Sequence, residues 1–185
     1  MSERVCPVWV GYLLASPLRK FAHNPDKILS PYVKEGMTVL DIGSAMGFFS
    51  IPMAQMVGPE GKVICVDMQE KMLERLQKRA HKAGVADRIE TRLCDQDTLR
   101  LQDVKGTADL AVAFFVVHEV PDHARLFDEI AAALKPNALF LLAEPKGHVK
   151  EESFNRSVEE AKQHGFRVVG KPVIRRSRAV TLELQ

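Results

Sequence analysis

Short apolar runs recur along the chain, and each is typical of a buried strand. They cover residues 38–42, 62–67, 88–94, 109–116, 138–143, 166–174 and 178–184. Most are apolar nearly throughout instead of alternating with polar residues, a pattern that favours a parallel sheet buried on both faces. The pattern therefore predicts seven strands.

Segments with apolar residues at helical spacing separate these runs. The predicted helices cover residues 24–32, 48–57, 70–83, 122–134 and 151–164. In the third, Met72 and Leu76 share one face, and Gly84 is the expected stop. Strands that alternate with helices of this length indicate an α/β fold with a doubly wound, mainly parallel sheet. A short polar turn joins the last two strands, which lets the last strand pair antiparallel.

Composition and charge narrow the class of protein. The chain has 185 residues, 46% hydrophobic and 27% charged, which suits one globular domain of ordinary size. A net charge of +2 is too small to favour a nucleic-acid partner. The sequence has no run of 18 apolar residues, so we expect no membrane span and a cytoplasmic location. Three scattered cysteines argue against a disulfide framework and against a metal site.

The turn after the first strand is a candidate binding site. It reads Gly43-Ser44-Ala45-Met46-Gly47 and lies where open parallel sheets bind ligands. Its two glycines let the backbone turn sharply and approach a ligand closely. A dinucleotide fingerprint would need glycine at Ala45 and Phe48, and the Gly-Lys-Ser/Thr of a phosphate-binding loop is absent. A pyrophosphate ligand is therefore disfavoured.

Carboxylates follow the first three predicted strands. Asp41 precedes the glycine loop, Asp67 ends the second strand, and Asp95 and Asp97 follow the third. A crevice lined by these groups would repel phosphates and suit ribose hydroxyls, an amine or a positive charge. S-adenosylmethionine combines all three. The alternative is that each aspartate only caps a turn or a helix.

Five motifs stand in an order and spacing that resemble a known family. They are Val39-Leu40-Asp41-Ile42-Gly43-Ser44-Ala45-Met46-Gly47, Val63-Ile64-Cys65-Val66-Asp67, Cys94-Asp95, Asp109-Leu110 through Val117-His118-Glu119-Val120, and Leu134-Lys135-Pro136-Asn137-Ala138. From about Lys34 onward the chain resembles the class I S-adenosylmethionine-dependent methyltransferases, in their small UbiE-like or type 11 group. Two departures are Ala45, where a glycine is usual, and Asn137-Ala138 in place of Gly-Gly. The resemblance implies a Rossmann-like methyltransferase fold, with S-adenosylhomocysteine as product.

The resemblance also implies which residues hold the cofactor. They are Asp41, Gly43, Ser44, Gly47, Asp67, Met68, Asp95, Gln96 and Phe114. Asp67 would accept hydrogen bonds from both ribose hydroxyls, Met68 would pack on the adenine, and Asp95 would accept from the adenine amine. Asp41 would reach the amino group through water, and Phe114 would offer its backbone carbonyl nearby.

The catalytic candidates lie at the ends of the fourth and fifth strands. Methyl transfer mainly needs alignment and a dry site, and a general base only if the acceptor loses a proton. His118 and Glu144 stand at these ends, although they could instead shape the loop and end the strand. The apolar residues 114–117 beside them favour a small, hydrophobic acceptor molecule.

Residues 1–33 are predicted to form a helical extension ahead of a cofactor-binding domain at 34–185. The extension carries Trp9, Tyr12 and Phe21 within apolar sequence, and we interpret it as part of the fold, not a signal peptide. It is the unassigned apolar segment that could roof the acceptor site, so we expect it to act as a lid. The alternatives are a cover for the sheet edge and a contact in a homodimer.

Other functions stay open at this point. A non-catalytic cofactor-binding protein of the same fold is motivated by Ala45, and an NAD-dependent oxidoreductase is disfavoured by Phe48. Arsenite methyltransferases bind their metalloid through several thiolates. Cys65 lies within a strand and Cys94 borders the adenine loop, so only Cys6 is left for such a role.

Overall fold

The computed structural model describes residues 23–185, where seven strands form one sheet. The strands are β1 (Thr38–Ile42), β2 (Lys62–Asp67), β3 (Ile89–Leu93), β4 (Ala108–Phe114), β5 (Leu134–Pro145), β6 (Phe166–Gly170) and β7 (Ser177–Leu184). Their order is β3-β2-β1-β4-β5-β7-β6, with β7 antiparallel to both neighbours and the other pairs parallel. The predicted fold class is confirmed.

Helices cover both faces of the sheet. In the described part of the chain they are α1 (Pro25–Leu29), α2 (Ser50–Met56), α3 (Glu70–Ala83), α4 (His123–Ala133) and α5 (Glu151–Gln163). Because successive strand side chains point to opposite faces, Val39 packs with α1 to α3, whereas Leu40 packs with α4 and α5. Within residues 23–185, every helix is too short or too polar to cross a bilayer.

Several predicted element ends were wrong, and backbone conformation explains most of them. Strand β4 ends at Phe114 and not at residue 116, since Phe115 turns out of the strand with φ +66°. Strand β6 ends at Gly170 and not at 174, because Pro172 cannot donate to a ladder. The predicted turn at 135–137 lies inside β5 as an irregular bulge, with Asn137 at φ +62°.

The smaller corrections concern helix boundaries. The predicted helix 24–32 is Pro25–Leu29, and the predicted helix 48–57 is Ser50–Met56. The stop at Gly84 is confirmed by its left-handed conformation, φ +69°.

The sheet order creates a crevice between β1 and β4. The two strands pair side by side, Ile42 against Ala113, but their chains leave toward opposite edges of the sheet. Ligands of open α/β sheets bind at this switch point, beyond the carboxyl ends of the strands. The carboxyl end of β5 lies next to that of β4, with Phe114 opposite Ala143. The structure thus brings the glycine loop and the ends of β4 and β5 to one edge.

Candidate active site

The glycine loop after β1 depends on backbone conformations that side chains disfavour. Gly43, Ala45 and Gly47 have φ values of +71°, +46° and +79°. A Cβ on Gly43 would lie 2.6 Å from Cγ2 of Val116, at the exit of β4. Gly43 is therefore required both for its conformation and for the close approach of the loop to β4.

Hydrogen bonds hold this loop between β2 and α3. The backbone N–H groups of Gly43 and Ser44 donate to the Val66 carbonyl at 2.9 and 3.1 Å. The guanidinium of Arg79 on α3 donates to the Met46 carbonyl. The hydroxyl of Ser44 is buried and has no hydrogen-bond partner among residues 23–185, which leaves it for a ligand.

Asp67 joins the loop to the start of α3. Its Oδ2 accepts from the backbone N–H of Ala45 and its Oδ1 from that of Gln69, both at 2.9 Å. Burial raises the pKa of Asp67, and these two hydrogen bonds offset part of that effect. Each carboxylate oxygen keeps a second lone pair, so Asp67 can hold the loop and still accept from a ligand hydroxyl.

A cleft of about 100 Å³ opens beside the loop. Of the predicted cofactor residues, Gly43, Met68, Asp95 and Gln96 line it. The Met68 side chain is 40% exposed, an apolar surface on which a ring can stack.

Five of the residues that line the cleft are acidic. They are Asp95, Asp97, Glu119, Asp122 and Glu129, with Arg125 as the single Lys or Arg among the lining residues. Asp95 also pairs with Arg100, whose Nη2 lies 2.5 Å from Oδ2. Oε2 of Glu129 accepts from the Leu99 N–H at 2.7 Å and fixes the loop after β3. This wall favours a cationic ligand.

The other five predicted cofactor residues do not line the cleft, and the side chains of Asp41 and Phe114 are engaged elsewhere. Asp41 is 3% exposed and points toward α2, where Ser50 Oγ donates to its Oδ2 at 2.5 Å. Burial raises the pKa of Asp41 to about 7, the Ser50 hydrogen bond opposes the rise, and the charge of Asp67 adds to it. The Phe114 ring stacks on Phe49 with centroids 4.0 Å apart, so only its backbone is left for the expected role.

The two catalytic candidates contact each other. Glu144 at the end of β5 is 1% exposed, and its Oε2 lies 2.6 Å from Nδ1 of His118. Its Oε1 accepts from the backbone N–H of His118 at 3.2 Å. Burial alone would lower the pKa of His118, but its hydrogen bond to Glu144 and the charges of Glu144 and Glu119 raise it above its usual 6.5. The pair can hold and move a proton.

Sequence reasoning missed three residues that position the site. Val116 packs against Gly43, and Arg79 donates a hydrogen bond to the Met46 carbonyl. Glu129 accepts a hydrogen bond from the loop after β3. Val116 was noted only for its apolar character. Arg79 and Glu129 lie within helices, where nothing in the local pattern marks them.

The doubly wound sheet, the glycine loop and the acidic cleft define a domain that binds a nucleoside cofactor. Residues 33–173 match the family described as "Methyltransferase domain". The chain belongs to this family of S-adenosylmethionine-dependent methyltransferases, and S-adenosylmethionine is its cofactor. The predicted family and cofactor are confirmed.

The curated relatives are longer than this chain and are named for different reactions. An arsenite methyltransferase from Halobacterium salinarum is 36% identical over 101 residues, 55% of this chain and 25% of that protein. The Escherichia coli ubiquinone/menaquinone biosynthesis C-methyltransferase UbiE is 28% identical over 112 residues, 60% of this chain and 44% of that protein. The chain thus spans less than half the length of these curated relatives.

Solved structures show how widely the fold is shared. A SAM-dependent methyltransferase from Aquifex aeolicus has a TM-score of 0.87 at 24% identity, covering 98% of this chain and 100% of that one. The [4+2]-cyclase SpnF has a TM-score of 0.69 at 17% identity, covering 82% of this chain and 60% of that one. The fold alone therefore does not decide the reaction.

The residues of the site fit the cofactor. The unpartnered hydroxyl of Ser44 and the remaining lone pairs of Asp67 suit its polar groups. Met68 suits the adenine ring, and the acidic wall suits its positive charge. Ser44, Asp67 and Met68 are thus the residues that would hold it.

Ala45→Gly tests the strain in the loop. The left-handed conformation costs an alanine about 1–2 kcal/mol, which glycine avoids, but glycine also gains freedom in the unfolded chain. We expect the affinity for S-adenosylhomocysteine, measured by calorimetry, to stay similar or tighten slightly. Ala45→Val is the matched control and should weaken binding, since a branched side chain resists this conformation. A loss of affinity beyond tenfold in Ala45→Gly would contradict the explanation.

Asp41→Asn tests the buried carboxyl. Its folded pKa of about 7 lies above its ordinary 3.8, so its stabilising contribution is full below pH 3.8 and is lost as the pH rises to about 7. The stability advantage of Asp41→Asn over the native protein should therefore grow across this range and level off above it. Each unit of pKa difference is worth about 1.4 kcal/mol. Urea unfolding of both proteins from pH 4 to 8 measures the difference, and a constant difference would refute the shift.

Proposed function

We propose that the protein transfers the methyl group of S-adenosylmethionine to a small, hydrophobic molecule. One observation carries the proposal: the cofactor cleft and the His118–Glu144 pair lie side by side at the carboxyl ends of β1, β4 and β5. Glu119 links them, because it lines the cleft and its Oε1 lies 4.0 Å from Nε2 of His118.

The chain's own residues bind the cofactor, orient its methyl group and shield the site from water. When bound, the cofactor supplies a methyl group attached to a cationic sulfur, which is a good leaving group. Asp67 is proposed to accept from the ribose hydroxyls, while the acidic wall of the cleft stabilises the positive charge. Gly43 and Gly47 let the loop backbone approach.

The surroundings of His118 support an apolar acceptor. Val116 leaves β4 on the cleft side and lines the cleft. Phe115 packs on the other face of the sheet, where it contacts the His23 ring with centroids 5.2 Å apart. A soft metalloid is a poor fit for the described residues. Burial raises the pKa of Cys94 to about 12 and that of Cys65 well above its usual value, so neither thiol readily ionises. Residues 23–185 also contain no cluster of His, Cys, Asp or Glu suited to a metal ion.

The segment before residue 23 is proposed to be the lid of the acceptor site. Residues 1–22, with Trp9, Tyr12 and Phe21, lie outside the described residues. The support lies at their junction with the rest of the chain: His23 contacts Phe115 after β4, and its Nε2 lies 3.4 Å from the hydroxyl of Ser177 at the start of β7. His23 therefore lies near the carboxyl ends of β4 and β5, from where the preceding segment is proposed to reach the acceptor site. The expected homodimer stays a prediction.

Asp67→Ala tests the cofactor site. Two hydrogen bonds to a charged acceptor are each worth about 1.5–3 kcal/mol and are not additive. We expect the variant to bind S-adenosylmethionine and S-adenosylhomocysteine about 2–4 kcal/mol more weakly in calorimetry. Glu60→Ala removes an exposed carboxylate in the turn before β2, at the opposite edge of the sheet, and should leave the affinity unchanged.

The same titrations test the proposed function. The native protein should bind both adenosyl ligands and not NAD, and it should release S-adenosylhomocysteine when offered small hydrophobic acceptors. Binding of NAD alone would exclude the proposed function. Unchanged affinity in a folded Asp67→Ala would show that Asp67 only supports the loop.

Deletion of residues 1–22 tests the lid. Because methyl transfer needs a dry site, the shortened protein should lose turnover while its cofactor affinity falls by less than about tenfold, roughly 1.4 kcal/mol. Calorimetry and turnover are measured on the same preparation, after circular dichroism shows that it is folded. Full activity would reject the lid. Joint loss of binding and turnover would place the segment at the cofactor instead.

A further inference from the structure

We propose that His118, oriented by Glu144, removes a proton from the methyl acceptor, so that the acceptor reacts through a hydroxyl, a thiol or an acidic C–H group. The inference rests on the proposed function, methyl transfer at this site. It excludes acceptors that carry no removable proton, such as thioethers and aromatic ring nitrogens.

Glu144 fixes both the orientation and the tautomer of His118. Its two oxygens take separate groups of the same residue, Nδ1 at 2.6 Å and the backbone N–H at 3.2 Å. A carboxylate accepts hydrogen bonds, so the neutral ring carries its proton on Nδ1 and keeps its lone pair on Nε2. This is the arrangement by which a buried carboxylate prepares an imidazole to act as a base.

The basic nitrogen lies on the cofactor side. By strand alternation Glu144 shares the face of Leu142, which packs with α4 and α5, and Ile42 in the wall of the cleft belongs to the same face. Nε2 of His118 lies 4.0 Å from Oε1 of Glu119, another residue of that wall. The lone pair is thus beside the cleft and not against the core.

Neighbouring elements hold the turn that carries His118. From α4, the His123 ring bonds the Val117 carbonyl at 2.9 Å. From the loop after β5, the His148 ring packs edge-on against His118 with centroids 4.9 Å apart. The titratable groups around His118 are therefore Glu144, Glu119, His148 and His123.

The proposed step balances without a further reactant. A lone pair of the acceptor oxygen, sulfur or carbon forms the bond to the methyl carbon, and the carbon–sulfur bond breaks with its electrons on sulfur. The acceptor proton moves to Nε2 of His118. The resulting imidazolium is stabilised by Glu144 and then gives its proton to solvent.

The two neighbouring carboxylates predict a specific pH dependence. They raise the pKa of His118 against the effect of burial, so the basic form dominates only above the raised value. Turnover should therefore rise as the pH passes through that pKa and then level off. Glu144→Gln should move the rise to lower pH, because it removes the stronger of the two influences.

The first test needs no acceptor. Nuclear magnetic resonance follows the His118 ring through a pH titration of the full-length protein, with the signal assigned by its absence in His118→Gln. We expect an Nδ1–H tautomer and a pKa above 6.5 that falls more in Glu144→Gln than in Glu119→Gln. An Nε2–H tautomer, or a pKa that does not change in Glu144→Gln, would overturn the proposal.

The second test uses labelled S-adenosylmethionine with four probes: 2-naphthol, thiophenol, thioanisole and quinoline. Methyl transfer should be limited to the first two. With 2-naphthol, which stays protonated at neutral pH, His118→Gln should lower kcat by about 10²–10⁴-fold with an unchanged KM for the cofactor. His164→Gln is the matched control, because His164 also holds a carboxylate, Asp128, 2.6 Å from Nδ1, but between α4 and α5. Its kcat should stay unchanged.

Each result has a distinct meaning. Transfer to thioanisole or quinoline, or full kcat with 2-naphthol in His118→Gln, would overturn the proposal that His118 acts as the base. If none of the probes is methylated, the titration of His118 alone decides. Calorimetry with S-adenosylhomocysteine separates the two proposals: absent binding in the native protein refutes the proposed function, whereas normal binding with an unshifted His118 refutes only the base.

Discussion

The contact between Gly43 and Val116 is the constraint on which the site depends. Val116 lies so close that a Cβ on Gly43 would be 2.6 Å from it, and Gly43 can accept this approach because it has no side chain. The contact joins the loop after β1, which faces the cofactor, to the exit of β4. His118 follows Val116 by two residues, so the same contact places the loop and the His118 turn relative to each other.

The same edge of the sheet holds three carboxylates that are buried or partly buried. Asp41, Asp67 and Glu144 all lie within or beneath the carboxyl edge of the sheet, where charge is costly. Each is compensated by a different donor: a hydroxyl for Asp41, backbone N–H groups for Asp67, and His118 for Glu144. Only Asp67 and Glu144 thereby position groups near the cleft. Asp67 holds Ala45 of the glycine loop, and Glu144 holds the His118 ring. Asp41 instead ties β1 to α2, and its pKa rises because burial outweighs the opposing hydrogen bond from Ser50.

The sequence supported most of the fold and only part of the site. Strands β1 and β2 and helix α3 were predicted to the residue, because continuous apolar runs and a terminal glycine are local signals. The bulge in β5 and the early end of β4 were missed, since both depend on positive φ. Asn137 adopts it more readily than most residues and was expected in a turn, whereas Phe115 is a residue type that rarely adopts it. The pairing of His118 with Glu144 spans 26 residues and follows from sheet order, which no local pattern contains.

Binding and chemistry occupy different strands of one sheet. Most of the residues proposed to hold the cofactor follow β1, β2 and β3, whereas the proposed catalytic residues are His118 after β4 and Glu144 near the end of β5. A scaffold divided in this way can change its reaction at one pair of strand ends while the other three still hold the cofactor. That a [4+2]-cyclase shares the fold is consistent with this division. We therefore propose that the chemistry of this protein depends on the turn after β4 and the carboxylate that orients it, and not on the glycine loop.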